Sequence, residues 1–314
     1  MRWAALVVAA GRGTRFGGPK QLIELAGAPM LLWSMRTLAQ MPEVAELVVV
    51  TETEWIETVE SLARMAAAGK PYAVVDGGET RQASVRNGLH ALSPECEAVL
   101  VHDGARPLVR AADVRDAMAV VREGRAALLG VPVVDTIKVV DRSKRTVTRT
   151  LDREELWAAQ TPQLATVRDM RRAHLEATRS PLHATDDATL LERIGVDVEI
   201  VPGSPDNFKV TVFEDVGRAE YALRDRLQHA PGEEEVLIVE MFVDAALVDA
   251  ACGEIAARGG TIDGIERDLP GGAAIRAYMT SRQYPGFVDR FESVAGGTSA
   301  VTARFSHYAA RAAN

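Results

Sequence analysis

The chain has little lysine, cysteine or aromatic residue and no long apolar run, and each shortage excludes something. Two cysteines, Cys96 and Cys252, are all that occur in 314 residues. They cannot build a disulfide framework and lack the spacing of a metal site, so both read as small buried hydrophobes. No apolar run reaches the roughly 18 residues of a membrane span. The apolar stretch after Met1-Arg2 is too short for a secretory leader. A cytoplasmic protein with no membrane partner is therefore expected. Basic residues number 36 against 44 acidic ones, a net charge of −8. That balance argues against a nucleic-acid partner, which needs a basic surface. Five of the basic residues are lysines: Lys20, Lys70, Lys138, Lys144 and Lys209. Ammonium is a compact point charge that guanidinium does not replace at a phosphate. Lysines kept in an arginine-rich chain are the ones to inspect.

What is present reads as an ordinary globular protein, 47% hydrophobic and 25% charged, with length enough for two domains. Continuous apolar runs at 3–10, 46–51, 72–75, 98–102 and 126–134 have the character of buried parallel strands. Helical patterns at 30–40, 54–67, 80–91 and 111–123 alternate with them. The alternation predicts an α/β fold: a doubly wound, mostly parallel, Rossmann-like sheet.

The alternation breaks after Val134. Segments 136–140 and 146–150 are strand-like and flank the charged stretch Asp141–Arg145, a hairpin too hydrophilic to bury. It predicts a projecting arm over about 135–155. Helices are expected at 164–177, 188–194 and 214–228, with a strand at 198–201. Residues 231–235, Pro-Gly followed by three glutamates, form the expected linker between a first domain at 1–230 and a second at 236–314. The second domain reads as strand 236–243, helix 245–257, strands 261–267 and 274–280, helix 285–294 and strand 300–308. That βαββαβ order is ferredoxin-like. Residues 233–314 carry seven Arg, no Lys and twelve acids, so RNA contact is not expected there.

The first strand runs into Ala9-Ala10-Gly11-Arg12-Gly13-Thr14-Arg15-Phe16-Gly17-Gly18-Pro19-Lys20. Such a loop offers N–H groups to an anion at the carboxyl edge of a parallel sheet. It is no dinucleotide fingerprint, because Phe16 stands where glycine is needed. It is no Walker A loop either, because Pro19 separates the glycines from Lys20. A glycine-rich loop with three cations remains, readable as a phosphate cradle or as a plain basic loop.

Further motifs follow in order: Asp76-Gly77-Gly78-Glu79-Thr80-Arg81-Gln82-Ala83-Ser84-Val85, His102-Asp103-Gly104-Ala105-Arg106-Pro107, Asp135-Thr136-Ile137-Lys138, Asp152-Arg153 through Gln160-Thr161-Pro162-Gln163, Thr185-Asp186-Asp187-Ala188, and Asp206-Asn207-Phe208-Lys209-Val210-Thr211. With the glycine loop they make seven blocks over residues 3–227. The set resembles the 2-C-methyl-D-erythritol 4-phosphate cytidylyltransferases of non-mevalonate isoprenoid synthesis.

The resemblance implies nucleotidyl transfer from CTP to a polyol phosphate, with Mg²⁺ as cofactor. It puts Arg15, Lys20 and Lys209 on the phosphates as catalytic cations. Ala9, Ala10, Gly11, Gly13, Gly77, Gly78, Glu79, Ser84 and Asp103 become nucleotide contacts, with Asp103 on the metal. Glu79 stands where some relatives have Asp, and Ala83 where many have Asp. Arg106, Thr136, Arg153, Thr161 and Thr185 match the positions of the second substrate. The arm implies a homodimer with shared sites. Asp206 is a possible second acidic contact to the metal, and His102 is structural, since this chemistry needs no base. The tail lacks the histidines of a fused zinc cyclase. It resembles instead the C-terminal ferredoxin-like domain of the ribosomal translocation elongation factor, which implies a fold and an accessory role. Ribitol 5-phosphate as acceptor, or a nucleotide-binding regulator without catalysis, are the competing expectations.

Overall fold

The computed structural model describes residues 1–11, 16, 18–179, 184–229, 233–280, 283–284, 286–288, 290–291 and 300–310. The chain divides into two compact units, Met1–Leu25 with Pro29–Glu220, and Ala26–Ala28 with Tyr221–Asn314. The division falls inside one helix, Phe213–His229, upstream of the expected linker. Glu233–Glu235 of that linker already belong to a strand, and Pro231 and Gly232 lie outside the described residues.

In order, the chain begins with β1 (Trp3–Val8), β2 (Glu24–Leu25), β3 (Ala28–Pro29), α1 (Met30–Ala39), β4 (Val44–Thr51), α2 (Ile56–Ala67), β5 (Tyr72–Asp76), α3 (Arg81–Ala91), β6 (Ala98–Asp103) and α4 (Ala111–Val120). It continues with β7 (Arg125–Pro132), β8 (Lys138–Asp141), β9 (Thr146–Thr150), β10 (Trp157–Thr166), α5 (Val167–Thr178), α6 (Asp187–Arg193), β11 (Asp197–Pro202) and the start of α7 (Phe213–His229). Seven strands form one sheet in the order β11-β7-β10-β6-β1-β4-β5. The apolar runs of β1, β4 and β6 are buried almost throughout, as strands covered by helices on both faces must be.

Register positions the functional edge. β1 is parallel to both neighbours, pairing Val8 with Val50 and with Asp103. β4 carries this on by pairing Thr51 with Asp76 of β5. The segments after Val8, Thr51, Asp76 and Asp103 therefore emerge side by side at the carboxyl edge, where open α/β sheets bind ligands.

Two helices are shorter than expected. The helix expected at 164–177 begins only at Val167, and Leu164–Thr166 end the strand β10. β10 runs antiparallel between β6 and β7. Thr166 makes the corner: in extended backbone, its hydroxyl accepts the Asp169 N–H as the helix N-cap. The strand escaped notice because its buried stretch holds Gln160, Thr161, Gln163 and Thr166, which hides the apolar signal. The helix expected to reach residue 123 stops at Val120.

The arm is present as a separate two-stranded sheet of β8 and β9. Val140 and Val147 on it are exposed. The second unit holds β12 (Glu233–Val243), α8 (Val248–Ala257), β13 (Thr261–Leu269), β14 (Gly272–Thr280) and β15 (Ala300–Ala310). Its sheet has the order β13-β14-β12-β15, antiparallel throughout, as in a ferredoxin-like unit. Phe287 and Phe291, on a second helical stretch, share its core with Val239, Val248, Ile255 and Ile275. Of the helix expected at 285–294, Pro285, Asp289 and residues 292–294 lie outside the described residues. No helix among the described residues is long and apolar enough to cross a membrane.

Candidate active site

A cleft of about 760 Å³ opens at the carboxyl edge of β1, β4, β5 and β6, with Gly11, Lys20, Gly77, Arg81, Asp103 and Lys209 among its walls. Asp103 is the last residue of β6 and is 7% exposed. Lys209 Nζ lies 2.8 Å from its Oδ2, Arg81 Nε 3.3 Å from its Oδ1, and Arg106 Nε 3.9 Å from its Oδ2. Burial disfavours the carboxylate. Arg81, Lys209 and Arg106 outweigh that and hold the group well below the usual carboxylate range. Arg81 Nη2 and Arg106 Nε, both buried, have no hydrogen-bond partner among the described residues. Donors left in that state are costly, and an anion arriving beside them would relieve the cost.

The backbone around Asp103 is fixed from below. His102 is fully buried, and its Nε2 lies 3.1 Å from the Arg106 carbonyl. A carbonyl only accepts, so Nε2 carries the proton. Nδ1 must then accept from the Thr161 hydroxyl at 3.2 Å, while Thr161 Oγ1 accepts the Asp103 N–H at 3.0 Å. The lysine loop is tied to the same frame. Arg106 donates to the Asn207 carbonyl at 2.7 Å, and Asn207 Nδ2 donates to the Thr161 carbonyl at 2.9 Å. The Val210 N–H donates to the Ala105 carbonyl at 2.9 Å, and Lys20 Nζ donates to the Val210 carbonyl at 2.9 Å. Asp215 accepts from Thr211 and Val212 at the start of α7, and Arg218 lies 4.1 Å over the Phe208 ring. Both lysines are thus aimed by backbone that several elements hold.

The turn Gly77-Gly78 lines the same cleft. A Cβ on Gly77 would lie 2.4 Å from Ala10 Cβ, and one on Gly78 would lie 2.4 Å from Ala83 Cβ. Only glycine permits this closeness of the two loops and the helix. The Ser84 hydroxyl accepts the Gly78 N–H at 3.0 Å and donates to the Thr80 carbonyl at 3.0 Å. Thr80 caps α3, whose N-terminus opens on the cleft.

The expected site residues fall into groups. Ala10, Gly11, Lys20, Gly77, Gly78, Glu79, Ser84, Asp103 and Lys209 line one cleft. Ala9 is buried behind it, with its N–H on the Val50 carbonyl. Gly13 and Arg15 lie outside the described residues. Arg106, Thr136, Arg153, Thr161 and Thr185 do not line the cleft. Arg106 stands beside Asp103. Thr161 is buried and its proton is committed to His102, which leaves it no hydrogen for a substrate. Thr136, Arg153 and Thr185 are exposed, and Arg153 donates to the Val134 carbonyl at 3.1 Å. Asp206 pairs with Arg110 at 2.7 Å instead of facing the cleft. Sequence reasoning missed Arg81, whose guanidinium joins Asp103 to the buried Asp187. The signal was there, since Arg81 and Asp187 both sit inside the quoted motifs.

No three His, Cys, Asp or Glu side chains gather as a cation cage among the described residues. Asp103 is one ionised carboxylate. Mg²⁺ characteristically takes one or two carboxylates and completes its shell with phosphates and water. The donor set fits a divalent cation that arrives with a triphosphate, and it does not fit a resident metal centre.

Comparison with known proteins covers the part of the chain that holds the cleft. The family model described as IspD, 2-C-methyl-D-erythritol 4-phosphate cytidylyltransferase, matches residues 3–225. The enzyme of that name from Gloeobacter violaceus is 41% identical over 228 residues, 72% of this chain and 98% of that protein. The one from Dictyoglomus thermophilum is 38% identical over 212 residues, 67% of this chain and 92% of that protein. The crystal structure of the Thermus thermophilus enzyme, 32% identical, covers 71% of this chain and 100% of its own with a TM-score of 0.58. A 4-diphosphocytidyl-2C-methyl-D-erythritol synthase from Anaerococcus prevotii, 27% identical, covers 71% of this chain and 96% of its own with a TM-score of 0.64.

The buried imidazole carries a pH signature. Burial, opposed by Asp103, pulls His102 from 6.5 down to about 4. The unfolded chain then takes up a proton first as the pH falls. The stability that neutral His102 contributes is complete above about pH 6.5 and is lost between 6.5 and 4. Urea unfolding across that window should show a fall on the order of 3 kcal/mol from this residue. His102→Gln should flatten the slope, and equal slopes in variant and wild type would show that His102 is not held neutral.

Proposed function

The chain belongs to the 2-C-methyl-D-erythritol 4-phosphate cytidylyltransferase family, and we infer that it transfers the cytidylyl group of CTP to 2-C-methyl-D-erythritol 4-phosphate. The products are CDP-methylerythritol and pyrophosphate, in the synthesis of isoprenoid precursors. The observation that carries this reading is the set of cations around Asp103, in one cleft with a glycine turn.

A phosphate-monoester oxygen of the acceptor attacks the α-phosphorus of CTP in line, forming one P–O bond as the bond to pyrophosphate breaks. With a second pKa near 6, the acceptor phosphate is already largely dianionic at neutral pH, so no side chain need take a proton. The obstacle is the approach of two anions. Lys20 and Lys209 supply positive charge that matters most as charge builds on the α-phosphate and leaving group. Arg15 adds to this set by resemblance. The backbone of Ala10–Gly11 and Gly77–Gly78, with Ser84, receives the nucleoside. Asp103 would hold the divalent cation, which when bound neutralises triphosphate oxygens. Arg106 and, from the arm, Thr136 and Arg153 would hold the acceptor phosphate, with Thr185 beside them.

The exposed valines of the arm support a homodimer in which Arg153 serves the site of the other copy. Residues 1–230 form the catalytic domain in this reading, and 236–314 an accessory domain. A cytoplasmic location suits the nucleotide substrate.

Pyrophosphate release from CTP and Mg²⁺ should depend on 2-C-methyl-D-erythritol 4-phosphate; release with ribitol 5-phosphate alone would overturn the acceptor. Lys20→Ala and Lys209→Ala should each lower kcat by about 10²–10³-fold, more than they weaken CTP binding. Near-normal kcat in both would remove the lysines from the chemistry. A chain ending at His229 should keep the activity, and a folded but inactive truncation would move part of the site into the tail.

Mixed dimers test the shared site. Lys20→Ala and Arg153→Ala dimers are each inactive at both sites, whereas a mixed dimer has both lesions in one site. Random mixing makes half the dimers mixed, so activity should return to about a quarter of wild type. No recovery in confirmed mixed dimers would mean that Arg153 works within its own chain.

A further inference from the structure

Asp187 opens α6 and is 1% exposed, yet the reaction above gives it nothing to do. Its Oδ2 accepts from Arg81 Nη1 at 2.8 Å, and its Oδ1 from His174 Nε2 at 2.9 Å. Its own N–H, with that of Ala188, donates to Gln163 Oε1 of β10 at 2.8 and 2.9 Å. Two side chains therefore hold the carboxylate, Arg81 of α3 and His174 of α5, while Gln163 of β10 holds the backbone that carries it at the start of α6. Burial opposes its charge, and Arg81 and His174 keep it ionised. A buried ion pair is a poor device for stability alone, since apolar side chains of similar volume often do as well. The arrangement calls for another reason.

The Arg81 guanidinium is forked. It lies 2.8 Å from Asp187 and 3.3 Å from Asp103, so the closer carboxylate is the one outside the cleft. A rigid planar fork can span two carboxylates in this way, and a point charge cannot. With Asp187 neutral, Arg81 would be free to close on Asp103 and take up the charge that Lys209 faces from the other side.

We propose that Asp187 is a positioning residue for cytidylyl transfer: it holds Arg81 at the edge of Asp103 and thereby sets how much of the Asp103 charge is left for Lys209 and the incoming triphosphate. This rests on the reading of Asp103 as the carboxylate that faces the triphosphate. Asp187 touches neither substrate. It acts through Arg81 alone, so the two residues form one functional unit.

The test is a double-mutant cycle. Asp187→Asn keeps the shape and removes the charge. Its kcat falls by about 10–100-fold, the scale of a misplacement of about 1 Å in a site of this kind. CTP affinity, measured by equilibrium dialysis without acceptor, changes by less than about threefold, because the glycine turn and the α3 N-terminus are untouched. Arg81→Gln lowers kcat to a similar level, and adding Asp187→Asn to it costs no more than about twofold, since residues acting as a unit are not additive. Multiplicative losses, or a kcat for Asp187→Asn within about twofold of wild type, overturn the proposal. If Asp187→Asn does not fold, Arg81→Lys decides. A lysine cannot span both carboxylates, so kcat falls while the melting temperature holds, and a normal kcat overturns the proposal. Asp103→Asn separates the two levels. A fully active Asp103→Asn removes the underlying reading, whereas an inactive one beside an active Asp187→Asn removes this inference only.

Discussion

A carboxylate that stays ionised while almost wholly buried is the constraint on which the rest of this structure depends. Asp103 ends a buried strand, where little water reaches its charge, and three cations from separate parts of the chain compensate for that. Arg81 comes from the first turn of α3, Arg106 from the loop after β6 and Lys209 from the loop before α7. Each must be delivered to within a few ångströms, and much of the first unit serves that delivery. The parallel register of β1 with β4 and β6 sets the edge. The antiparallel strand β10 slides Gln160, Thr161 and Gln163 beneath it, where they bind the histidine, the asparagine and the aspartate that steady those loops.

The same arrangement explains what the cleft can do. A carboxylate surrounded by cations is poised to exchange partners when a polyanion enters. The lysines of the cleft are aimed by backbone that several elements hold. Such preorganisation lets charge develop during reaction without rearranging the protein. His102, beside all this, is held neutral and serves as a strut, with its two nitrogens assigned by a carbonyl and a hydroxyl.

The α/β class, the twin glycines and the arm were legible in the sequence because each is written locally. Apolar runs ending in glycine mark parallel strands, and a charged stretch between two short β segments marks a hairpin. β10 was not legible, because its buried residues are polar and its apolar tail merges with the period of α5. Thr161 shows the same limit within the site. Its motif marks it as functional, but nothing in the sequence says that its hydroxyl is consumed by His102 and the Asp103 N–H. Arg81 and Asp187 stand 106 positions apart, and no local pattern announces that they meet. The tail is the reverse case: its βαββαβ order could be read from period and turn alone, and the antiparallel sheet of the second unit follows it.

The most direct measurement is the titration of Asp103 itself, by carbon NMR of protein labelled at aspartate carboxyls and assigned with Asp103→Asn. The account predicts a resonance that stays ionised far below 3.8, the ordinary aspartate value, as far down as the fold persists. It predicts also that the midpoint rises in Lys209→Ala. A wild-type midpoint near 3.8 that ignores the loss of Lys209 would contradict the claim that cations converge on this carboxylate.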